Sequence, residues 1–215
     1  MRHFLATAAA LAFMASGAQA FQVSPTSYDM LNGQTGSYQY WDESYSGSGN
    51  PFASLSPLSG GLGDLTDGAI ATQNWNVTEQ PPGPGPYVGW STIDPTITFH
   101  FAGTPLITRV VLYWDDSDGA GGVNDPNSVT IDGTNYTVVD PPGPDPFAFT
   151  VAGLNLTKSS FDITIQRNGW IMLSEVEFYD DVSTDPNEIP LPASVALLGA
   201  GVVALGAYGR LRKRA

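Results

Sequence analysis

The 215-residue chain has no cysteine, 2 histidines, and 8 lysines and arginines against 21 aspartates and glutamates. Without cysteine there is no disulfide framework, thiolate zinc site, iron–sulfur cluster or cysteine nucleophile. Charged residues make up 13% of the chain, about half the ~25% of an ordinary soluble domain. Walker loops and G-x-S-x-G elbows are missing, as is a dinucleotide fingerprint leading into a helix. His100 is the one histidine beyond the first twenty residues and lies between Phe99 and Phe101. That setting reads as a strand position facing solvent or a sheet neighbour, not as the base of a Ser-His-Asp triad. No enzyme is indicated. What the chain does have is 24 Gly, 17 Pro, 10 Phe, 9 Tyr and 5 Trp, the punctuation of a turn-rich fold together with flat apolar faces. Its length suits one domain with short attachments.

Basic residues collect at the two ends. Arg2 precedes the apolar run Phe4–Ala15 and the small residues ending in Ala18-Gln19-Ala20, which is the pattern of a secretory signal peptide over residues 1–20. Residues 191–209 carry no charge; as a helix they would reach about 28 Å, enough for one membrane span. Arg210, Arg212, Lys213 and Arg214 follow in the tail 210–215, and the positive-inside rule assigns that tail to the cytoplasm. The part left outside, residues 21–182 with a linker 183–190, keeps Arg109, Lys158 and Arg167 against all 21 acids, a net charge of −18. Such a domain repels nucleic acid and attracts cations.

Ile189-Pro190-Leu191-Pro192-Ala193, followed by the apolar span and the basic tail, resembles the PEP-CTERM class of bacterial sorting signals in its VPLPA-CTERM form, with Ile189 in place of valine. The resemblance implies a partner, a membrane protease of exosortase type, that cleaves near the proline motif in Gram-negative bacteria producing exopolysaccharide. It also implies a precursor anchored in the inner membrane and a product at the cell surface or outside the cell. Physically, Pro190 and Pro192 stop a helix and hold an extended segment beside the bilayer. A plain single-pass anchor is the alternative.

Between the ends the patterning is that of strands and turns, with no convincing helix. Thr96–Phe101 alternates Ile97, Phe99 and Phe101 with Thr96, Thr98 and His100, and Phe161–Gln166 repeats the alternation. Ile107–Trp114 is apolar on both faces apart from Thr108 and Arg109, as a central strand is. Ser128–Ile131, Asp132-Gly133 and Tyr136–Val139 read as a hairpin whose turn tolerates positive φ. Phe147–Val151 and Met172–Tyr179 add two strands. The fold class expected is all-β, a β-sandwich of jelly-roll type. Ser44–Gly61 reads as a long loop or exposed arm. The tracts Pro81–Tyr87 and Pro141–Phe147 read as stiff polyproline connections. Asp115-Asp116-Ser117-Asp118-Gly119 lacks the spacing of an EF-hand and reads as a solvated loop.

Asp67-Gly68 with Thr72 and Trp75, then Trp90, and finally Leu173-Ser174-Glu175-Val176-Glu177-Phe178-Tyr179 resemble the discoidin-like, galactose-binding-like superfamily from about Leu65 to Tyr179. The resemblance implies a calcium ion (Ca2+) held by Asp67, Thr72 and Glu175, with backbone carbonyls near Asp64 and Ala69. From the residues themselves, Asp-Gly suits a turn presenting oxygens, and calcium takes hard oxygen ligands; an Asx-turn at Asp67 with Glu175 facing solvent is the alternative. The resemblance further implies sugar binding. Trp41, Tyr45, Trp114 and Trp170, in or beside expected loops, are the aromatic faces available for stacking on a pyranose, whereas Trp75 and Trp90 match positions that are usually core. The function expected is a non-catalytic, exported, exosortase-processed surface or matrix protein whose partner is an extracellular glycan or exopolysaccharide. A structural or adhesive protein recognising another protein is the alternative.

Overall fold

The computed structural model describes residues 20–79 and 85–181. The expected signal peptide up to residue 19, residues 80–84, and the expected linker, sorting motif Ile189–Ala193, span and basic tail lie outside the described residues. Among those described, no helix is long and apolar enough to cross a membrane.

The two alternating segments form strands β5 (Thr96–His100) and β10 (Ser160–Gln166), which pair antiparallel with Phe161 opposite Phe99. Beside them lie β2 (Ser27–Leu31) and β3 (Pro57–Gly61) on one flank, and β7 (Ser128–Ile131) and β8 (Thr134–Thr137) on the other. The order in this sheet is β3-β2-β5-β10-β7-β8. The second sheet takes β1 (Phe21–Gln22), β11 (Ile171–Asp180), β6 (Leu106–Trp114) and β9 (Phe147–Thr157) in the order β1-β11-β6-β9, with β4 (Val88–Trp90) against the start of β11. The two sheets face each other as an all-β sandwich.

Alternation decides what fills the space between them. Ile97, Phe99, Ile163 and Ile165 from one sheet meet Val110, Leu112, Val176 and Phe178 from the other, all buried. Phe178 is the clasp: its ring lies edge-on to Phe99 at 4.8 Å, Phe101 at 5.1 Å and Phe161 at 5.8 Å. The outward face of β6 and β11 is closed by a polar layer. Tyr113 and Tyr179 both donate their hydroxyls to Glu177 Oε2 (2.6 and 2.8 Å), and the Arg109 guanidinium stacks 3.9 Å from the Tyr179 ring. That layer leaves Val111 only 5% exposed, so β6 is central as its sequence suggests.

The hairpin β7–β8 turns through Asp132 and Gly133 with φ of 48° and 83°, the doubly positive turn that the Asp-Gly pair favours. Two readings need correction. The Ser44–Gly61 stretch is not a free arm: it ends in β3, whose Leu58 is buried, and carries Tyr45 into the core. There is also one short helix, α1 (Trp75–Thr78), a single turn too brief for any periodicity to show.

Phe178 bridges both sheets, so Phe178→Ala is expected to destabilise the domain by about 3–5 kcal/mol. Urea denaturation followed by tryptophan fluorescence measures this; a loss under ~1 kcal/mol would mean that the aromatic clasp is not the centre of the core.

Candidate functional site

At the end of the sandwich where β6 finishes and β11 begins, several loops are drawn together by carboxylates and backbone pairing. The Asp115 N–H donates to the Met172 carbonyl at 3.0 Å, and the Asp115 carboxylate accepts the N–H of Trp75, fixing the start of α1. Trp170 pairs with the next loop: its N–H reaches the Gly122 carbonyl at 2.9 Å and its carbonyl accepts from Asn124 at 3.0 Å. The rings then gather. Tyr40 stands edge-on to Trp170 at 5.3 Å and to Trp75 at 6.1 Å, and Tyr38 lies 6.3 Å from Tyr40 and 6.1 Å from Trp75. Gly121 has φ of 66° and its backbone lies against the Trp75 indole, where a Cβ would collide with the ring. Together with Ser37, Val123 and Met172 these residues line a shallow pocket of about 190 Å³ counting its open mouth.

Trp75, Trp170 and Tyr38 are half-buried, whereas Tyr40 is 2% exposed and backs the pocket. The Trp75 indole N–H and the Asn74 side-chain carbonyl are buried without a hydrogen-bond partner, and Asn74 is not among the residues lining the pocket. His100 sits elsewhere. Its Nε2 lies 2.9 Å from Asp29 Oδ2 on the neighbouring strand, and Asp29 also accepts from the Gly60 N–H. His100 is thus the sheet-facing residue its alternation suggests.

Of the four aromatic residues picked from sequence, Trp170 lines the pocket. Trp41 is half-buried elsewhere and donates to the Ser54 hydroxyl at 3.3 Å. Tyr45 and Trp114 are corrected. Trp114 shares the inward parity of Val110 and Leu112 and is 1% exposed; Tyr45 packs edge-on to Tyr28 at 5.2 Å and donates to the Tyr28 carbonyl. Neither offers a face to a ligand. Trp75, set aside as core, is a pocket wall instead, while Trp90 is buried as expected.

The acidic residues cluster nearby. Glu175 is 3% exposed and its Oε2 accepts the Gly68 N–H at 2.9 Å, across 107 residues. Asp67 Oδ1 accepts the Ala69 N–H at 2.8 Å, an Asx-turn, and Ala69 and Thr72 are exposed. The carboxylate of Asp64 accepts from the Ser44 hydroxyl and the Glu43 N–H, and the Asp64 N–H donates at 2.9 Å to Asp42 Oδ1. Asp42 is fully buried and also takes the Tyr28 hydroxyl. Burial first, with neighbouring acids adding to it, pushes Asp42, Glu79 and Glu175 each up to about 7. All these donors are hard oxygens, the chemistry calcium requires. The basic side chains are engaged elsewhere: Arg109 with Asp181, Lys158 with Asp132, Arg167 with Asp94.

No protein-family model and no curated protein matches this sequence. Among solved structures the chain is similar to a truncated AlyQ with CBM32 and alginate lyase domains, at 12% identity and a TM-score of 0.43, covering 75% of this chain and 34% of that one. It is similar to the lectin-binding domain of lectinolysin complexed with Lewis b at 12% identity and a TM-score of 0.40, over 76% and 92% of the two chains. It is also similar to the family 32 CBM from C. perfringens NanJ in complex with galactose, at 8% identity and a TM-score of 0.31, over 53% and 90%. The chain therefore spans about a third of the first of these and most of the other two. The sandwich assignment stands on the strand order itself and takes nothing from likenesses this distant.

Asp42 and Glu79 hold their protons more tightly folded than unfolded, where a carboxyl titrates near 4. Their contribution to stability is full below pH ~4 and is lost as pH rises through about 7. In EDTA the melting temperature is expected to be higher at pH 5 than at pH 8, and Asp42→Asn is expected to flatten that difference. A melting temperature that rises between pH 5 and 8 would contradict this reading of the buried acids.

Proposed function

We propose that residues 21–182 form a non-catalytic glycan-binding module of galactose-binding-like type, carried by an exported protein that an exosortase-type protease processes. The observation that carries the binding reading is the pocket walled by Trp75 and Trp170, half-exposed rings set edge-on to Tyr40. Ring faces of this kind stack on the C–H face of a pyranose. The pocket is shallow, which suits the end or edge of a polysaccharide lying across its mouth better than a sugar engulfed. Asp67 and Glu175, with Asp64, Thr72 and the Ala69 carbonyl, are proposed to share one calcium ion joining the early turn to the last strand. The support for that is their mutual field and the lack of a basic partner among the described residues.

The sorting reading rests on Ile189–Ala193, the uncharged span and the basic tail. Native protein is expected to lack Met1 to Ala20 and the span beginning near Leu191. Intact-mass spectrometry checks this, and molecules retaining Arg212-Lys213-Arg214-Ala215 would reduce the C-terminus to a plain anchor.

A glycan array tests the binding itself, with calorimetry on the best ligand. Trp170→Ala is expected to cost about 1–3 kcal/mol of affinity, roughly five- to 150-fold in Kd, with the domain still folded at the assay temperature. Trp114→Ala, by contrast, should lower the melting temperature because the ring is core. No glycan binding by the wild type would remove the reading, and unchanged affinity in Trp170→Ala would move the site elsewhere.

A further inference from the structure

The loop after β6, Asp115-Asp116-Ser117-Asp118-Gly119, is not the solvated turn its sequence suggests. Asp116 is 1% exposed. Its Oδ1 accepts the Asp118 N–H at 3.1 Å, but its Oδ2 is buried with no hydrogen-bond partner. Asp140, between β8 and β9, comes from a separate segment, and both it and Asp118 are exposed. One carboxylate oxygen from each of Asp116, Asp118 and Asp140 lies within 4.8 Å of the others. Asp125 adds a further negative charge to the same field. Among the described residues every lysine and arginine is paired with a different acid. A buried carboxylate oxygen with neither a donor nor a counter-charge is unfavourable, and two more carboxylates brought up to it compound the repulsion.

We propose that Asp116, Asp118 and Asp140 bind one calcium ion, at a site separate from Asp67 and Glu175. Two oxygens on one calcium, each about 2.4 Å from the metal, are separated by at most about 4.8 Å, and the three carboxylates meet that bound. Asp116 supplies the buried anchor, and the two exposed carboxylates leave the remaining coordination to water. Calcium's variable shell accepts carboxylates from unrelated loop positions, whereas magnesium demands near-octahedral geometry and gives up water reluctantly. The ion would pin the loop carrying Gly121 and Val123 to the connection running into Pro141. The Pro144 carbonyl of that connection already takes the Asn74 side-chain amide at 2.7 Å. The proposal depends on the loop geometry and not on the glycan reading.

Calcium titration of EDTA-stripped, full-length protein in detergent, by calorimetry and by melting, tests it. The Asp118→Asn/Asp140→Asn double variant is expected to lose one calcium equivalent relative to wild type, or to weaken it at least tenfold. Glu175→Gln is expected to retain that equivalent. In EDTA the double variant should melt no lower than wild type, because two like charges have been removed from exposed positions. Asp140→Asn alone, expected to weaken calcium at least tenfold, guards against a folding artefact. Equal stoichiometry and affinity in wild type and both variants overturns the site, as does magnesium displacing calcium at equal concentration. A failed Asp67–Glu175 site would show instead as Glu175→Gln indistinguishable from wild type, so the two failures separate.

Discussion

Carboxylates buried beyond the reach of any described basic side chain set the terms for the loop end of this domain. Where the described lysine and arginines are held by Asp94, Asp132 and Asp181, the inner acids must be satisfied by backbone N–H groups and hydroxyls. Ionised or protonated, a carboxyl group keeps acceptor capacity for such donors. The chain therefore gathers donors around its acids. Asp42 holds Tyr28 and the start of the Asp64 turn, Asp115 holds Trp75, Glu79 takes the Tyr87 N–H at 3.0 Å, and Glu175 takes Gly68.

These bonds do for the loops what disulfides do in small disulfide-rich domains. Gly68 and Glu175 are 107 residues apart, and Trp75 and Asp115 are 40 apart, so each carboxylate closes a long stretch of chain onto the sandwich. A covalent staple is indifferent to pH and ions; a carboxylate staple is not. The aromatic pocket inherits this sensitivity because Trp75 is placed by Asp115 and its neighbouring wall, Gly121, lies on the loop that Asp115 and Asp116 begin.

Much of the sandwich was legible in the sequence because period-two alternation states both the strand and the face. Thr96–His100, Ser160–Gln166 and the Asp132-Gly133 hairpin are examples. Trp114 was legible too: its parity with Val110 and Leu112 puts it inside, a signal outweighed by its place beside a loop. Strand β3 was hidden because Pro57-Leu58-Ser59-Gly60-Gly61 lacks β-branched and aromatic residues, and its seating depends on Gly47 and Gly61 backbones touching where no Cβ fits. Trp75 and the pairing of Asp116 with Asp140 were hidden for a different reason. Exposure and cross-loop proximity belong to the folded arrangement, and neither residue's neighbours in the chain carry them.

The pairing of β1 with the end of β11 puts Phe21 opposite Asp180 and Gln22 opposite Tyr179. The domain's first and last strands thus meet at one pole, while Trp170 and the pocket lie where β11 starts, nine residues away or about 30 Å along an extended strand. Tension applied through both flanks would fall first on the two-residue pairing of β1 with the end of β11, a short tab of the sheet.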